Sequence, residues 1–317
     1  MILANVMKRS AIGATVGIAL KGIKSDPKRS IRNTVDLFER FTVEIFDSST
    51  INKIRHEADN PNSSFFKLVT KVTASVDNTM IKKVATNLCC NRLILFPDKE
   101  LENKRTAADF KPQVFSEEAL NSIVERGVNA GSYFFVINSE NPFQQKDALL
   151  NVCRSHSDCV FYIHTNGNEI DDQLANEIIE AGNIILAVTI DQGNEPTELC
   201  NSKAGVFELL QRHHCLYGFC VASEQTELCF NSGFVDCMIA QGCSFGWYTY
   251  GSDADPGSMD SSKNPLIGIG KPILLATPKS DAHYLSHFSI GGRCYISFNE
   301  EIKARYLFPV QFGEMKY

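Results

Sequence analysis

Three short apolar runs, at 132–137, 159–164 and 183–190, carry β-branched and aromatic residues without polar alternation. Strands covered on both faces read this way, so the runs predict a parallel sheet. Helical patterns separate them. Ser116 opens one as an N-cap, with Glu117 and Glu118 in the first turn. Leu120, Ile123, Val124 and Val128 form its apolar stripe, and Gly131 stops it. The same junction then recurs: IVERGVNAGSYFFVI, NVCRSHSDCVFYIHT, IIEAGNIILAVTI, LLQRHHCLYGFCVAS and MIAQGCSFGWYTY. Each time an amphipathic helix ends in a polar or glycine turn and an apolar strand begins. This internal repeat predicts parallel strands joined by right-handed crossovers. That many units in so short a stretch point to a full or partial (β/α) barrel.

Upstream, residues 30–90 read as helical throughout. Val35, Phe38 and Phe41 share one face; Ser49-Thr50 can cap 51–58, Ser63-Ser64 can cap 65–73, and Asp77 can start 80–86. Residues 98–105 form a charged connector. Residues 1–33 carry Lys8, Arg9, Lys21, Lys24, Lys28, Arg29 and Arg32 against a single acid, Asp26. Val6, Ile12, Val16, Leu20 and Ile23 recur there at helical spacing. Two readings stand: a basic helix lying peripherally on an anionic membrane, or a terminal helix docked on its own protein or on a partner. Beyond Tyr250 a polar loop leads to candidate strands at 272–276, 294–298 and 305–310. The fold class expected is therefore α/β, a partial (β/α) barrel over 106–317 with an all-helical N-terminal module over 1–105.

Composition narrows the function classes. The 317 residues are 44% hydrophobic and 21% charged, which suits a globular chain with a sizeable core. A net charge of -6 argues against nucleic acid as a partner. The 11 cysteines have no framework spacing, no stretch fits a cleavable signal peptide, and no run approaches the roughly 20 apolar residues of a membrane span. Reduced, mostly buried thiols in a cytoplasmic protein are expected.

Ligands of α/β folds bind at the carboxyl ends of strands. Those ends here read Asn138-Ser139-Glu140-Asn141-Pro142, Thr165-Asn166-Gly167 and Thr189-Ile190-Asp191-Gln192. In order and spacing these motifs resemble the radical S-adenosylmethionine (radical SAM) family. In that family the corresponding positions read Gly-Gly-Glu-Pro, then Thr-Asn-Gly, then a strand end near the cofactor. The helical N-terminal module also resembles a subgroup of that family. The resemblance implies a partial barrel of the radical SAM type, with Ser139, Glu140, Asn141, Thr165, Asn166, Gly167 and Asp191 at the cofactor site.

The departures from the family are as specific as the matches. The family holds a [4Fe–4S] cluster on a CxxxCxxC motif, and the cluster's open iron binds S-adenosylmethionine. No CxxxCxxC occurs in this chain. Cys89-Cys90 cannot make that tripod alone, and the tail near Gly291-Gly292 offers only Cys294. Ser139 and Glu140 stand at the family's glycines, where the backbone approaches the ligand, and Asn141 stands at its acid. A [4Fe–4S] cluster is therefore not expected, and no metal site either. The leading expectation is a cluster-free pseudoenzyme that binds or regulates a protein partner, such as an active homologue or a second copy of itself. S-adenosylmethionine or another small polar molecule is the ligand class left open. The alternative is an enzyme with non-radical polar chemistry, using Glu140, His164 and Asp191 as acid/base candidates, or one completed by a partner chain.

Other constellations read as structural. His283 and His287 at i, i+4 lack a third ligand. His213-His214 suit a helix end. The spacings Cys215-x4-Cys220 and Cys237-x5-Cys243 suit the core, and Asp253, Asp255 and Asp260 suit a solvated loop. Cys153 with His156 lies at a helix end away from the pocket. Trp247, Tyr248 and Tyr250 end a strand, and Tyr248 is expected at the pocket face with Glu140, His164, Asn166 and Asp191.

Overall fold

The structure is a computed structural model, and it describes residues 2–42, 48–93, 113–129, 131–139, 141–221, 226–229, 231–248, 270–276, 292–298 and 301–307. Glu140, the 98–105 connector, the aspartates of the 251–265 loop, Tyr250, His283 and His287 lie outside the described residues.

Five helices come first: α1 (Ile2–Ser25), α2 (Pro27–Thr42), α3 (Ser48–Asp59), α4 (Ser64–Ser75) and α5 (Asn78–Leu93). Two of the expected caps are present, at Ser63 and Asp77, whereas Ser49 and Thr50 lie inside α3 instead of capping it. The Ser63 hydroxyl accepts the Phe66 N–H at 3.0 Å, and Asp77 accepts the N–H groups of Thr79 and Met80 at 2.8 and 2.9 Å. Arg55 on α3 ties to Asp36 and Glu39 on α2. The apolar side of α1 is used internally, because Ile12, Leu20 and Ile23 are buried. The docked reading of the terminal helix therefore holds. Its cations Lys8, Lys21 and Lys24, with Lys28, Arg29 and Arg32 of α2, stay exposed.

The remaining chain runs β1 (Gln113–Val114), α6 (Glu117–Asn129), β2 (Ser132–Asn138), a 3-10 turn (Pro142–Gln145), α7 (Lys146–Ser155), β3 (Val160–Thr165), α8 (Asp172–Ala181), β4 (Ile184–Thr189), α9 (Pro196–Asn201), α10 (Ala204–Arg212), β5 (Tyr217–Val221), α11 (Thr226–Cys229), α12 (Ser232–Ala240), β6 (Phe245–Tyr248), β7 (Leu274–Ala276), β8 (Gly292–Phe298) and β9 (Glu301–Leu307). Among the described residues these strands form one sheet in the order β1-β9-β8-β2-β3-β4-β5-β6-β7. The pairs from β2 through β7 are parallel and follow chain order, β8 joins β2 in parallel, and β9 pairs antiparallel with β8 and with β1. The protein is thus mixed α/β, with a sequential parallel sheet and a helical N-terminal region.

Sequential order has a physical consequence. From β2 to β6 every crossover steps in the same direction, so right-handed crossovers put α7, α8, α10 and α12 on one face of the sheet. On that face Phe207 of α10 stacks on Tyr217, and Phe234 of α12 meets Phe219 edge-on. The opposite face is concave. Tyr162 on β3 and Trp247 on β6 are three strands apart, which is roughly 14 Å in a flat sheet. Their ring centroids are 5.9 Å apart, and Tyr162 and Phe245 are at 5.5 Å. Small residues floor the space between, Ala187 on β4 and Gly218 on β5. A Cβ added at Gly218 would collide with the Phe245 carbonyl and ring.

The helical region and the sheet share one core, in which Leu20, Val76, Met80, Ile81 and Val84 pack with the buried residues of the strands. Three polar side chains stitch them together. Lys83 donates to the Ala181 carbonyl at the end of α8 (2.5 Å), and Lys71 donates to the carbonyls of Ile239 and Cys243 after α12 (3.3 and 2.6 Å). Asn87 donates to the carbonyls of Ser157 and Cys159 after α7 (both 3.0 Å). The last carbonyls of a helix have no partner within it, so α4 and α5 supply donors at the ends of α7, α8 and α12, where the next strand begins. Burial lowers the pKa of Lys71 and of Lys83.

The cysteines mostly face inward. Burial pushes the Cys215, Cys220 and Cys229 thiols up to about 12 and Cys89 to about 11. One pair differs from the expectation of uniformly reduced thiols: Cys200 on α9 and Cys237 on α12 are joined in a disulfide, their Cα atoms 6.3 Å apart. No helix among the described residues is long and apolar enough to cross a membrane.

Candidate functional site

The carboxyl ends of β2, β3 and β4 form the candidate site. β3 ends in a tight turn. The Thr165 hydroxyl accepts the Gly167 N–H at 3.0 Å, and the Asn166 side chain accepts the Asn168 N–H at 2.9 Å. Gly167 holds φ +82°, a left-handed conformation that favours glycine. A Cβ there would also press on Val206, 3.1 Å away.

This turn is latched to the end of β2. The Asn166 amide donates to the Asn141 side chain at 2.6 Å. Glu169 accepts the Phe143 N–H at 3.0 Å, and burial pushes its carboxyl above the usual range. The Pro142 turn is therefore held from the β3 side by two contacts, one through each of two side chains four residues or fewer from Thr165. Ser139 and Asn141 are half-buried at the entrance, and Thr165 is buried beneath it.

His164 sits one residue below the turn on the concave face. Its ring lies edge-on to Tyr162 at 5.1 Å and to Trp247 at 6.5 Å. Burial alone pushes its pKa down to about 4. At neutral pH it is therefore an uncharged imidazole, able to donate from one nitrogen and accept at the other. The site's wall is then aromatic on the β6 side and amide-rich on the β2 side.

Asp191 is placed differently. Its carboxylate pairs with Lys203 at 2.8 Å, and the Lys203 side chain is 6% exposed. Lys203 also reaches the Asn168 side chain at 3.5 Å. The Asp191 charge thus anchors the turn between α9 and α10. Tyr248 corrects an expectation. It is fully buried on the helix face of β6, where its hydroxyl donates to the Cys229 carbonyl at 3.2 Å. The register pairs Cys220 with Trp247 and Val221 with Tyr248, so Trp247 alone of the two faces the site.

Tyr162, Phe245, Lys203 and Glu169 were not singled out by sequence reasoning. The signal for the first was present: Tyr162 and His164 stand two apart on one strand and so share a face.

Among the described residues the thiols are spread over the fold. Cys159, Cys215 and Cys243 lie just before β3, β5 and β6, at the opposite ends of the strands from the candidate site. Cys220 on β5 lies toward the candidate site but alone, and Cys200 and Cys237 are bonded to each other. Among the described residues no three His, Cys, Asp or Glu side chains are grouped to hold a metal ion. His213 serves structure, contacting Asp172 at 2.6 Å and Asn176 at 3.0 Å.

No protein-family model, curated protein or solved structure matches this chain.

Proposed function

We propose that this chain is a cluster-free, ligand-binding protein on a partial (β/α) barrel of the radical SAM type. It holds a small polar molecule with a planar ring at the strand ends, and acts as a binding or regulatory partner rather than as a radical enzyme. The observation that carries the reading is the pairing of an uncharged His164 beside Trp247 with the Asn141–Asn166 latch across the entrance. An aromatic wall stacks a planar ring, and amides read its polar edge. Sequential parallel strands and a concave face support the partial barrel. The lack of a CxxxCxxC motif supports the absence of radical chemistry. In this reading Ser139 shapes the mouth, and Asp191 holds the loop that borders it.

S-adenosylmethionine is the first ligand to test, because the Thr165-Asn166-Gly167 turn is the part of the family resemblance that this chain keeps. Isothermal titration of the full chain is expected to show saturable binding, weakened about tenfold or more by Trp247→Ala. Anaerobic reconstitution with iron and sulfide followed by EPR is the decisive control. A stoichiometric [4Fe–4S] cluster that binds S-adenosylmethionine overturns the proposal.

A further inference from the structure

The helical region contains a second site, unrelated to the strand ends. A cleft of about 380 Å³ opens between α1, α2, α4 and α5. Its walls include Val16, Ala19, Leu37, Phe38, Val69 and Ala85, and among the described residues no charged side chain lines it. Threonines complete the wall, and two have turned their hydroxyls away: Thr34 donates to the Ser30 carbonyl at 2.7 Å, and Thr73 to the Val69 carbonyl at 2.9 Å. Both bonds satisfy the hydroxyl within its own helix, which leaves the methyl to face the space. A cleft so lined offers water few partners and favours apolar guests.

The volume selects the guest's size. Benzene fits a cavity of about 150 Å³, so this cleft accommodates an apolar chain of about a dozen carbons. Charge selects its head. Leu20 and Ile23 line the cleft, and the exposed Lys21 and Lys24 adjoin them in sequence. Lys28 and Arg29 follow at the start of α2, against Asp26 alone. The next acids along α2, Asp36 and Glu39, are paired with Arg55, and Arg32 is paired with Asp59. Among the described residues, a cationic turn with few acids near it in sequence thus stands at the α1–α2 end of an apolar cleft.

We propose that this cleft binds a single-chain anionic amphiphile of the fatty-acid class. The alkyl chain lies between α1, α2, α4 and α5, and the carboxylate is held at the Lys21–Arg29 turn. The site is independent of the reading given above for the strand ends.

The test is titration of the full chain with cis-parinaric acid, whose fluorescence rises in apolar surroundings, and displacement by laurate. Saturable binding of one molecule per chain is expected, with Ala19→Phe lowering affinity at least tenfold and leaving the thermal melting curve cooperative. Ala85→Leu narrows the same space by less and serves if Ala19→Phe does not fold. Lys21→Glu with Lys24→Glu is expected to weaken laurate severalfold and to leave dodecanol unchanged. Binding that survives both cavity-filling variants, or that never saturates, overturns the proposal. So does flotation with phosphatidylserine vesicles that is equal in wild type and Ala19→Phe without saturable laurate binding, because the cations would then serve a membrane surface. Trp247→Ala should leave laurate binding intact.

Discussion

The two ends of the parallel strands are treated in opposite ways. Where β3 to β6 begin, α4 and α5 close the sheet with apolar side chains and give the neighbouring helix ends hydrogen-bond donors from Lys71, Lys83 and Asn87. Where the strands end, there is no such cover among the described residues. There the polar groups satisfy one another across loops, through Asn141–Asn166 and Asp191–Lys203. One end invests its side chains in stability. The other holds amides, a neutral imidazole and an indole at an accessible edge, as a binding site requires. The same fold therefore has a foundation and a mouth, and substitutions at the two should differ in kind.

The largest effect is expected at the foundation. Met80 is fully buried in the shared core, and its sulfur lies 3.3 Å from the Leu216 N–H. Met80→Ala should cost about 2–5 kcal/mol, read as a lower urea midpoint. An effect below about 1 kcal/mol would mean that α5 is not part of one cooperative core with the sheet.

His164 comes next, and it tests the mouth through pH. Its folded pKa is depressed to about 4, whereas an unfolded histidine titrates near 6.5. Between these values the unfolded chain binds the extra proton. Stability is therefore complete above about pH 6.5, falls as pH drops toward 4, and levels off below that. The loss should reach about 3 kcal/mol at most. Urea melts of wild type and His164→Phe at pH 7 and pH 4.5 isolate it, because other carboxylates cancel in the difference. An identical pH dependence in the two proteins would show that the imidazole is solvated.

Asn87 sharpens the foundation in polar terms. Asn87→Ala removes two hydrogen bonds, one to the carbonyl of exposed Ser157 and one to the Cys159 carbonyl, which keeps Asn183 as a second donor, at about 0.5–1.5 kcal/mol each. Hydrogen exchange should accelerate first at the end of α7 and the start of β3, since each of those carbonyls loses a donor from α5. Uniform acceleration through the whole sheet would argue against a local stitch.

How legible this was in the sequence differs between the same two ends. The repeat, the caps at Ser63, Asp77 and Ser116, and the glycine stops are local signals, and strand limits fell within a residue or two of the apolar runs. Thr165, Asn166 and Asn141 were legible as a cluster because a parallel sheet brings its carboxyl ends together. The facing of Trp247 and Tyr248 was not. The run FGWY has no polar alternation, so only the pairing with β5 decides which ring turns inward. The stitches were also illegible. Lys71, Lys83 and Asn87 look like ordinary positions on a helix, and their partners lie 70 to 172 residues away in the chain. Asp191 was legible as polar, but its partner Lys203 was not, because nothing local marks a lysine that will be buried.

The smallest stability effect is expected at the latch, and it draws the contrast most sharply. Asn166 and Asn141 are both half-buried, so water can replace either partner when the other is removed. A neutral hydrogen bond of this kind contributes about 1 kcal/mol or less. Asn166→Ala should barely move the urea midpoint, yet it removes one of the two contacts that hold the Pro142 turn and takes an amide from the mouth. Ligand binding at the strand ends should then fall about tenfold while the fold persists, the reverse of Asn87→Ala. If Asn166→Ala destabilises the chain as much as Asn87→Ala does, the latch belongs to the foundation, and the division of the strands into a structural end and a binding end is wrong.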